Sequence, residues 1–264
     1  MQRFLRIGRP RQLHTASPLF AGHSKWQNIK HRKARQDASR STQNTKIANM
    51  IYMAAKDGGG TDPALNVRLA TLMENAAKMS IPKKVIEGAI ARASKAAGNP
   101  AENAVSISYE GVGPGGIALI VETLTENKNR TAQQVRAAFL KFQGALSPTA
   151  YLFQRRGWIE LPGNLDFDEV FEQCAELDGI DDIVEEEDGD SKTITLFIDP
   201  SKLSSAANRV KELYKISDMG LGYFPDPEQQ VEVSDEEIET RLVKLQNELD
   251  SLDDVNNIYH NAKL

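Results

Sequence analysis

The hydrophobic period of this chain changes once, near Pro100, and the change divides it into two kinds of structure. Before Pro100 apolar residues recur three and four apart; after it they alternate, or run together in short blocks broken by Gly and Pro. Residues 45–56 place Ile47, Met50, Ile51 and Ala54 on one helical face, and Gly58-Gly59-Gly60 stops that helix. Pro63 suits the first turn of a second helix whose stripe is Leu65, Leu69, Leu72 and Ala76, interrupted at Ser80-Ile81-Pro82. A third helix over residues 83–95 offers Val85, Ile86, Ala89, Ile90 and Ala93 to a core. A small helical bundle is expected, with residues 22–40 joining it or lying over it as an arm.

Beyond Pro100 the pattern predicts strands at 105–109 and 117–123, joined by the turn Gly113-Pro114-Gly115-Gly116, a helix at 129–142 and a strand at 151–155. Strand 158–161, helix 166–177, strands 182–187 and 193–198, helix 201–214 and strand 221–224 then spell βαββαβ, the ferredoxin-like order. Strand 230–233, helix 235–249 with Ser234 as its cap, and strand 255–260 could complete the sheet begun at Val105. The fold class is therefore α+β: an N-terminal helical bundle followed by two α+β domains, the second ferredoxin-like and inserted in the first. The expected divisions are 1–20, 21–100, 101–157 with 228–264, and 158–227.

Charge is segregated in the same way. Residues 21–100 hold fourteen Lys and Arg against five Asp and Glu, whereas residues 101–264 hold fourteen against thirty-two, within a total of −5. The densest cationic stretch is GHSKWQNIKHRKARQDASR, residues 22–40. There Lys25, Lys30, Arg32, Lys33, Arg35 and Arg40 face Asp37 alone, interleaved with His23, Trp26, Asn28 and His31. A charge run is often only a solvated face. A basic half joined to an acidic half, however, meets a polyanion in one orientation, because phosphate binding is driven by counterion release. Lys46, Lys83, Lys84 and Arg92 extend the positive surface.

Residues 1–20 carry Arg3, Arg6, Arg9 and Arg11, scattered apolar groups and no acid, the pattern of a mitochondrial presequence with cleavage expected before Ala21. No window approaches the length of a membrane span, so no membrane insertion is expected. Cys174, the single cysteine, excludes an internal disulfide and a Cys-based zinc cluster and is expected in the core. Gly111-Val112-Gly113-Pro114-Gly115-Gly116 lacks the Gly-Lys-Ser/Thr of a phosphate loop. The acidic runs 185–190 and 235–239 lack EF-hand spacing. No cofactor, metal or catalytic residue is expected; a nuclease using His23 or His31 would need a partner acid, and Asp37 alone is close in sequence.

Three separated strings, AGHSKWQNIKHRKARQDASR, YEGVGPGGIALIVETLTENKNRT and LDDVNNIYHNAKL, closely resemble the YebC/PmpR family, and the resemblance runs from Ala21 to Leu264. It implies a three-domain protein whose mitochondrial members are called translational activators of cytochrome c oxidase. The family's basic motif carries over onto Gly22, His23, Ser24, Lys25, Trp26, Ile29, Lys30, His31, Arg32 and Lys33. Residues 142–149, FQGALSPT, are poorer in Gly than the family's loop at that place. Bacterial members were long described as transcriptional regulators, and the family has since been connected with the ribosome and with synthesis through consecutive prolines.

The resemblance thus implies a mitochondrial matrix factor whose partners are ribosomal RNA or mRNA, together with ribosomal proteins; the oligomeric state stays open. Lys and Arg would neutralise phosphates without reading sequence, while Trp26, His23 and His31 could stack on unpaired bases. Anchoring of the arm against the bundle is an equal alternative for Trp26. A DNA-binding regulator and an assembly chaperone acting by protein contacts are the rival functions.

Overall fold

The computed structural model describes residues 40–57, 60–98, 104–188 and 191–263. Helices α1 (Arg40–Asp57), α2 (Val67–Lys78) and α3 (Lys83–Gly98) come first. They are followed by β1 (Val105–Val112), β2 (Ala118–Thr125), α4 (Lys128–Lys141), β3 (Ala145–Leu146), β4 (Phe153–Pro162), α5 (Phe167–Cys174), β5 (Ile180–Asp188) and β6 (Ser191–Ile198). Then come α6 (Leu203–Leu213), β7 (Asp218–Pro225), β8 (Val231–Glu232), α7 (Glu236–Asp250), β9 (Val255–His260) and β10 (Ala262–Lys263). The architecture is an N-terminal helical region followed by two α+β units.

α1 begins at Arg40 rather than Thr45, adding a polar turn in which the Thr45 hydroxyl donates to the Ser41 carbonyl at 3.1 Å. α2 begins later than expected, because its cap is Asn66 and not a turn at Pro63. Asn66 is buried; its Oδ1 accepts from Leu69 N at 3.0 Å and its Nδ2 donates to the carbonyls of Ala54 and Gly60 at 2.8 Å each. One side chain therefore closes α1, the connection and α2 together. Leu65, left ahead of the cap, is 75% exposed and is no part of the core. That core consists of Ile51, Tyr52, Leu69, Ile86 and a set of alanines, closed by Leu124 of β2. Val85 and Ile90 are only half-buried.

The first sheet has the order β3-β1-β2-β9. β1 and β2 pair antiparallel from Val105↔Thr125 to Val112↔Ala118 across a turn at Pro114–Gly116, where Gly115 and Gly116 take φ of 68° and 78°. β9 pairs with β2 from the far end of the sequence. Ile117, Leu119 and Val121 pack under Val135 and Phe139 of α4 and Leu242, Leu245 and Leu249 of α7.

The second sheet has the order β5-β6-β4-β7, each neighbouring pair antiparallel. The strands expected at 151–155 and 158–161 are one, β4, so the expected junction at 157/158 falls inside a continuous strand. Gly157 is not a break: a Cβ there would meet the Ile198 carbonyl and Leu203 at 3.2 Å, so glycine lets α6 sit close to the sheet. α5 and α6 cover one face, with Ile159, Leu161, Ile194, Leu196 and Ile198 against Val170, Cys174 and Val210. Cys174 is fully buried, and burial pushes its thiol pKa up.

Two further expectations change. The strand at 230–233 is only Val231–Glu232 and pairs in parallel with β10 rather than joining the main sheet. The cap of α7 is Asp235, whose Oδ1 accepts from Glu237 N at 2.8 Å, not Ser234. The three units interlock. Val67 of α2 enters the core of the second sheet, Asn75 Nδ2 donates to the Ser217 carbonyl at 3.2 Å, and Tyr223 meets Tyr259 edge-on at 5.5 Å.

Candidate nucleic-acid interface

His23, Lys25, Trp26, Asn28, Lys30, His31, Arg32, Lys33 and Arg35 lie outside the described residues; Arg40 is the first residue of α1. The remaining candidates part into two groups. Lys46 is buried, with Nζ 2.6 Å from Asp250 Oδ1 and 2.5 Å from the Asp250 carbonyl at the C-terminal end of α7. Its charge lies against a carboxylate and the negative pole of a helix, apart from the exposed cations of α3. The face of α1 that carries it is turned into the α+β region, where Asn49 Nδ2 also reaches the Asp253 carbonyl at 3.5 Å.

The cations of α3 are available. Lys84 and Lys95 are exposed on the face opposite Ile86, Ala89 and Ala93. Lys83, also exposed, pairs with Glu87 one turn on at 3.4 Å, a contact of a few tenths of a kcal/mol that a phosphate can displace. Arg92 is fixed rather than free-swinging: its guanidinium stacks 4.7 Å from the Tyr52 ring and Nη2 donates to Asn49 Oδ1 at 3.3 Å. Lys56 lies over the same ring at 5.8 Å. Beside it a cavity of about 320 Å³ opens between α1 and α3, floored by Ala55, Ala93 and Ala96 and rimmed by Lys56, Thr61 and Ser94. The bundle therefore presents one cation, Lys56, at the rim of a small apolar recess.

A second polar centre joins β2, α4 and β9. Asp254 Oδ2 accepts from Thr131 Oγ1 at 2.6 Å, Arg130 Nη2 at 2.8 Å and Thr125 Oγ1 at 3.2 Å. Burial pushes the Asp254 carboxyl pKa up, but the Thr131, Arg130 and Thr125 hydrogen bonds outweigh it and the net shift is downward. Asn127 caps α4 by accepting from Arg130 N at 3.1 Å. In the loop poorer in Gly, Gln143 takes the left-handed φ of 62° that a glycine adopts at no cost. Its Oε1 accepts from Arg241 Nη1 at 2.9 Å. Gly144 cannot be replaced in the same way, since a Cβ would lie 2.6 Å from the Val112 carbonyl.

Two family profiles match the chain: "TACO1/YebC protein N-terminal domain" over residues 24–96 and "TACO1/YebC second and third domain" over residues 104–262. The chain belongs to the TACO1/YebC family. A "Probable transcriptional regulatory protein HAH1" of Saccharomyces cerevisiae is 40% identical over 93% of this chain and 91% of its own length. A "Probable transcriptional regulatory protein" of Pseudomonas putida is 39% identical over 93% of this chain and 96% of its own. A conserved hypothetical protein from Aquifex aeolicus shares the fold with a TM-score of 0.70 and 33% identity, over 89% of this chain and 94% of its own.

The names of the yeast and Pseudomonas relatives describe regulators, not enzymes. Among the described residues of this TACO1/YebC chain no cluster of His, Cys, Asp and Glu could hold a metal ion, and no helix is long and apolar enough to cross a membrane. The Asp254 centre escaped the sequence reading. Its signal was the string TENKNRT, residues 125–131, in which hydroxyls and a cap surround one arginine, paired with an aspartate near the far terminus.

Proposed function

We propose that the chain is a noncatalytic regulator of gene expression that binds nucleic acid through residues 22–40 and the exposed cations of α3. Its ligand is ribosomal or messenger RNA in the mitochondrial matrix, where it supports synthesis of organelle-encoded respiratory subunits, relieving stalls at proline-rich stretches. Ribosomal proteins are its other contacts. Segregation of charge carries this proposal: a bundle and arm of net positive charge precede α+β units of net negative charge, so the molecule offers a polyanion one side. Arg3 to Arg11, with no acid in residues 1–20, support the matrix location. For the scaffold, the antiparallel order β5-β6-β4-β7 supports a ferredoxin-like class for the second α+β unit, inserted between β1–β3 and β8–β10 of the first.

The second reading is a DNA-binding transcriptional regulator, and the names of the yeast and Pseudomonas relatives favour it over the first. Phosphate contacts do not separate the two, because they carry no sequence information. Competition between mitochondrial rRNA and duplex DNA at matched salt discriminates them. With it goes sedimentation of mitochondrial lysate at low and raised salt. RNA preference with salt-sensitive co-migration on ribosomal particles is expected; duplex preference with migration at the top of the gradient gives the second reading.

A further inference from the structure

The segregation of charge has an exception inside the acidic half. Residues 127–157 hold six Lys and Arg and no Asp or Glu, whereas the rest of residues 101–264 holds eight against thirty-two. Four of the six, Lys128, Arg130, Arg136 and Lys141, lie on α4, and each is exposed. The helix turns Thr131, Val135, Ala138 and Phe139 inward, so these cations occupy its outer face. Helix stability does not account for them. α5 and α7 open on acids, Asp168 and Glu169 in one and Glu236, Glu237 and Glu239 in the other, as the helix dipole favours. α4 has no acid in its first turn and opens on Lys128 and Arg130.

Ion pairs hold two of the four without burying them. Arg130 Nη2 donates to Asp254 Oδ2 at 2.8 Å, yet the Arg130 side chain is 55% exposed, so the carboxylate fixes the guanidinium and leaves it open to solvent. Lys141 Nζ lies 2.8 Å from Glu248 Oε2 in a surface pair of the kind worth at most about 1 kcal/mol. Lys128 and Arg136 have no ion pair among the described residues. The turn that carries Asp254 also joins α4 to the bundle. Exposed Arg92 of α3 donates through Nη2 to Asn49 Oδ1 at 3.3 Å, and Asn49 Nδ2 donates to the Asp253 carbonyl at 3.5 Å. Leu124 closes the junction: it packs into the bundle's core while its N–H donates to the Asp254 carbonyl at 2.8 Å. Arg92 and Arg130 thus stand on either side of residues 250–254. Glu126 and Asp253 are the exposed acids that act on Arg130 there.

Resting on the nucleic-acid reading of the basic half, we propose that the outer face of α4 is a second phosphate-binding surface, adjoining that of the bundle across residues 250–254. Its ligand is the sugar-phosphate backbone of the strand that the bundle holds. The exposed pair Lys141–Glu248 opens to a phosphate at little cost, and Arg130 meets one already oriented. One strand is therefore gripped by two units, the second of which belongs by net charge to the acidic half and repels a polyanion elsewhere on its surface.

The test is binding of the full chain to single-stranded RNA and, in a parallel arm, to duplex DNA, each followed by fluorescence anisotropy across a range of salt. Lys128→Ala with Arg136→Ala should flatten log K against log salt by about 1.4 on the single strand or about 1.8 on the duplex, two contacts at about 0.7 or 0.9 each. Both positions are exposed, so the urea midpoint should not fall. The control, Arg209→Ala with Lys211→Ala, makes the same charge change at exposed positions of α6 and should leave the slope as it is. Equal flattening by the two pairs reports net charge alone and overturns the α4 surface. No flattening by the α4 pair, while Lys84→Ala still flattens the slope, also overturns it and leaves the bundle's role standing. Flattening by the α4 pair with none from Lys84→Ala upholds the α4 surface and removes α3 from the interface. An unaltered chain that binds neither ligand removes the nucleic-acid reading and this surface together.

Discussion

The helical bundle and the second α+β unit are held together by different means. The bundle's core sets Ala54, Ala55, Ala76, Ala89, Ala93 and Ala96 around Ile51, Tyr52, Leu69 and Ile86, and it meets the two sheets through Leu124 and Val67. Polar anchors add to that packing: Asn66 within the bundle, and Lys46 and Asn49 reaching to Asp250 and Asp253. The second unit carries Ile159, Leu161, Ile194, Leu196 and Ile198 on one sheet face under two helices. Burial at ~25 cal/mol per Å² makes such a face cohesive without directional contacts. The basic end of the molecule thus adds a few geometrically demanding bonds to its packing, while the second unit relies on bulk.

The contrast predicts a ranking of effects. Leu196→Ala, at a fully buried position, should cost about 2–5 kcal/mol in urea unfolding, the range for large-to-small core changes. Asn66→Ala should cost roughly 1–3 kcal/mol, since it removes a cap and leaves one buried and one part-buried carbonyl short of a donor. Its loss of hydrogen-exchange protection should be confined to α1 and α2; equal loss across β4–β7 would erase the distinction between the two regions.

Asp254 sharpens the same point through pH. Its folded pKa lies below its unfolded value, so the unfolded chain binds more protons as pH falls through that window. Its stabilisation is complete above the unfolded carboxylate range and lost as pH drops through the lowered folded value. Asp254→Asn should flatten the acid limb of urea midpoint against pH, and an unchanged limb would remove Asp254 from the account. Most specific in function is the pair Lys46→Met and Lys84→Ala. Lys46→Met should lower stability by about 1.5–3 kcal/mol, the scale of one hydrogen bond to a charged group, with no change in the salt dependence of RNA binding. Lys84→Ala should leave stability alone and reduce the slope of log K against log salt by about 0.7 to 0.9.

What the sequence disclosed and what it hid follow from range. Helices with a repeating apolar stripe, such as the one through Ile47, Ile51 and Ala54, announce themselves locally. Leu65 has the right spacing and the wrong place, because the buried Asn66 cap starts the helix after it. Gly157 falls in the gap between the strands expected at 151–155 and 158–161, whereas its cause is the approach of α6, a tertiary fact. Lys46 reads as one more cation of a basic half; nothing near it in sequence announces Asp250, 204 residues on. Asp254 was hidden for the same reason, its partners lying at Thr125, Arg130 and Thr131.

The pairing of β9 with β2 also sets an order of events during synthesis. Ile120 and Val121 stand opposite Tyr259 and Ile258, so one edge of β2 has no partner until the last strands have been made. The second sheet, by contrast, closes within residues 153–225 and can form while the chain is still growing. The bundle waits with the first sheet, since the carboxylate that receives Lys46 is also among the final residues. A chain emerging residue by residue therefore completes its interior unit first and fastens its basic end last.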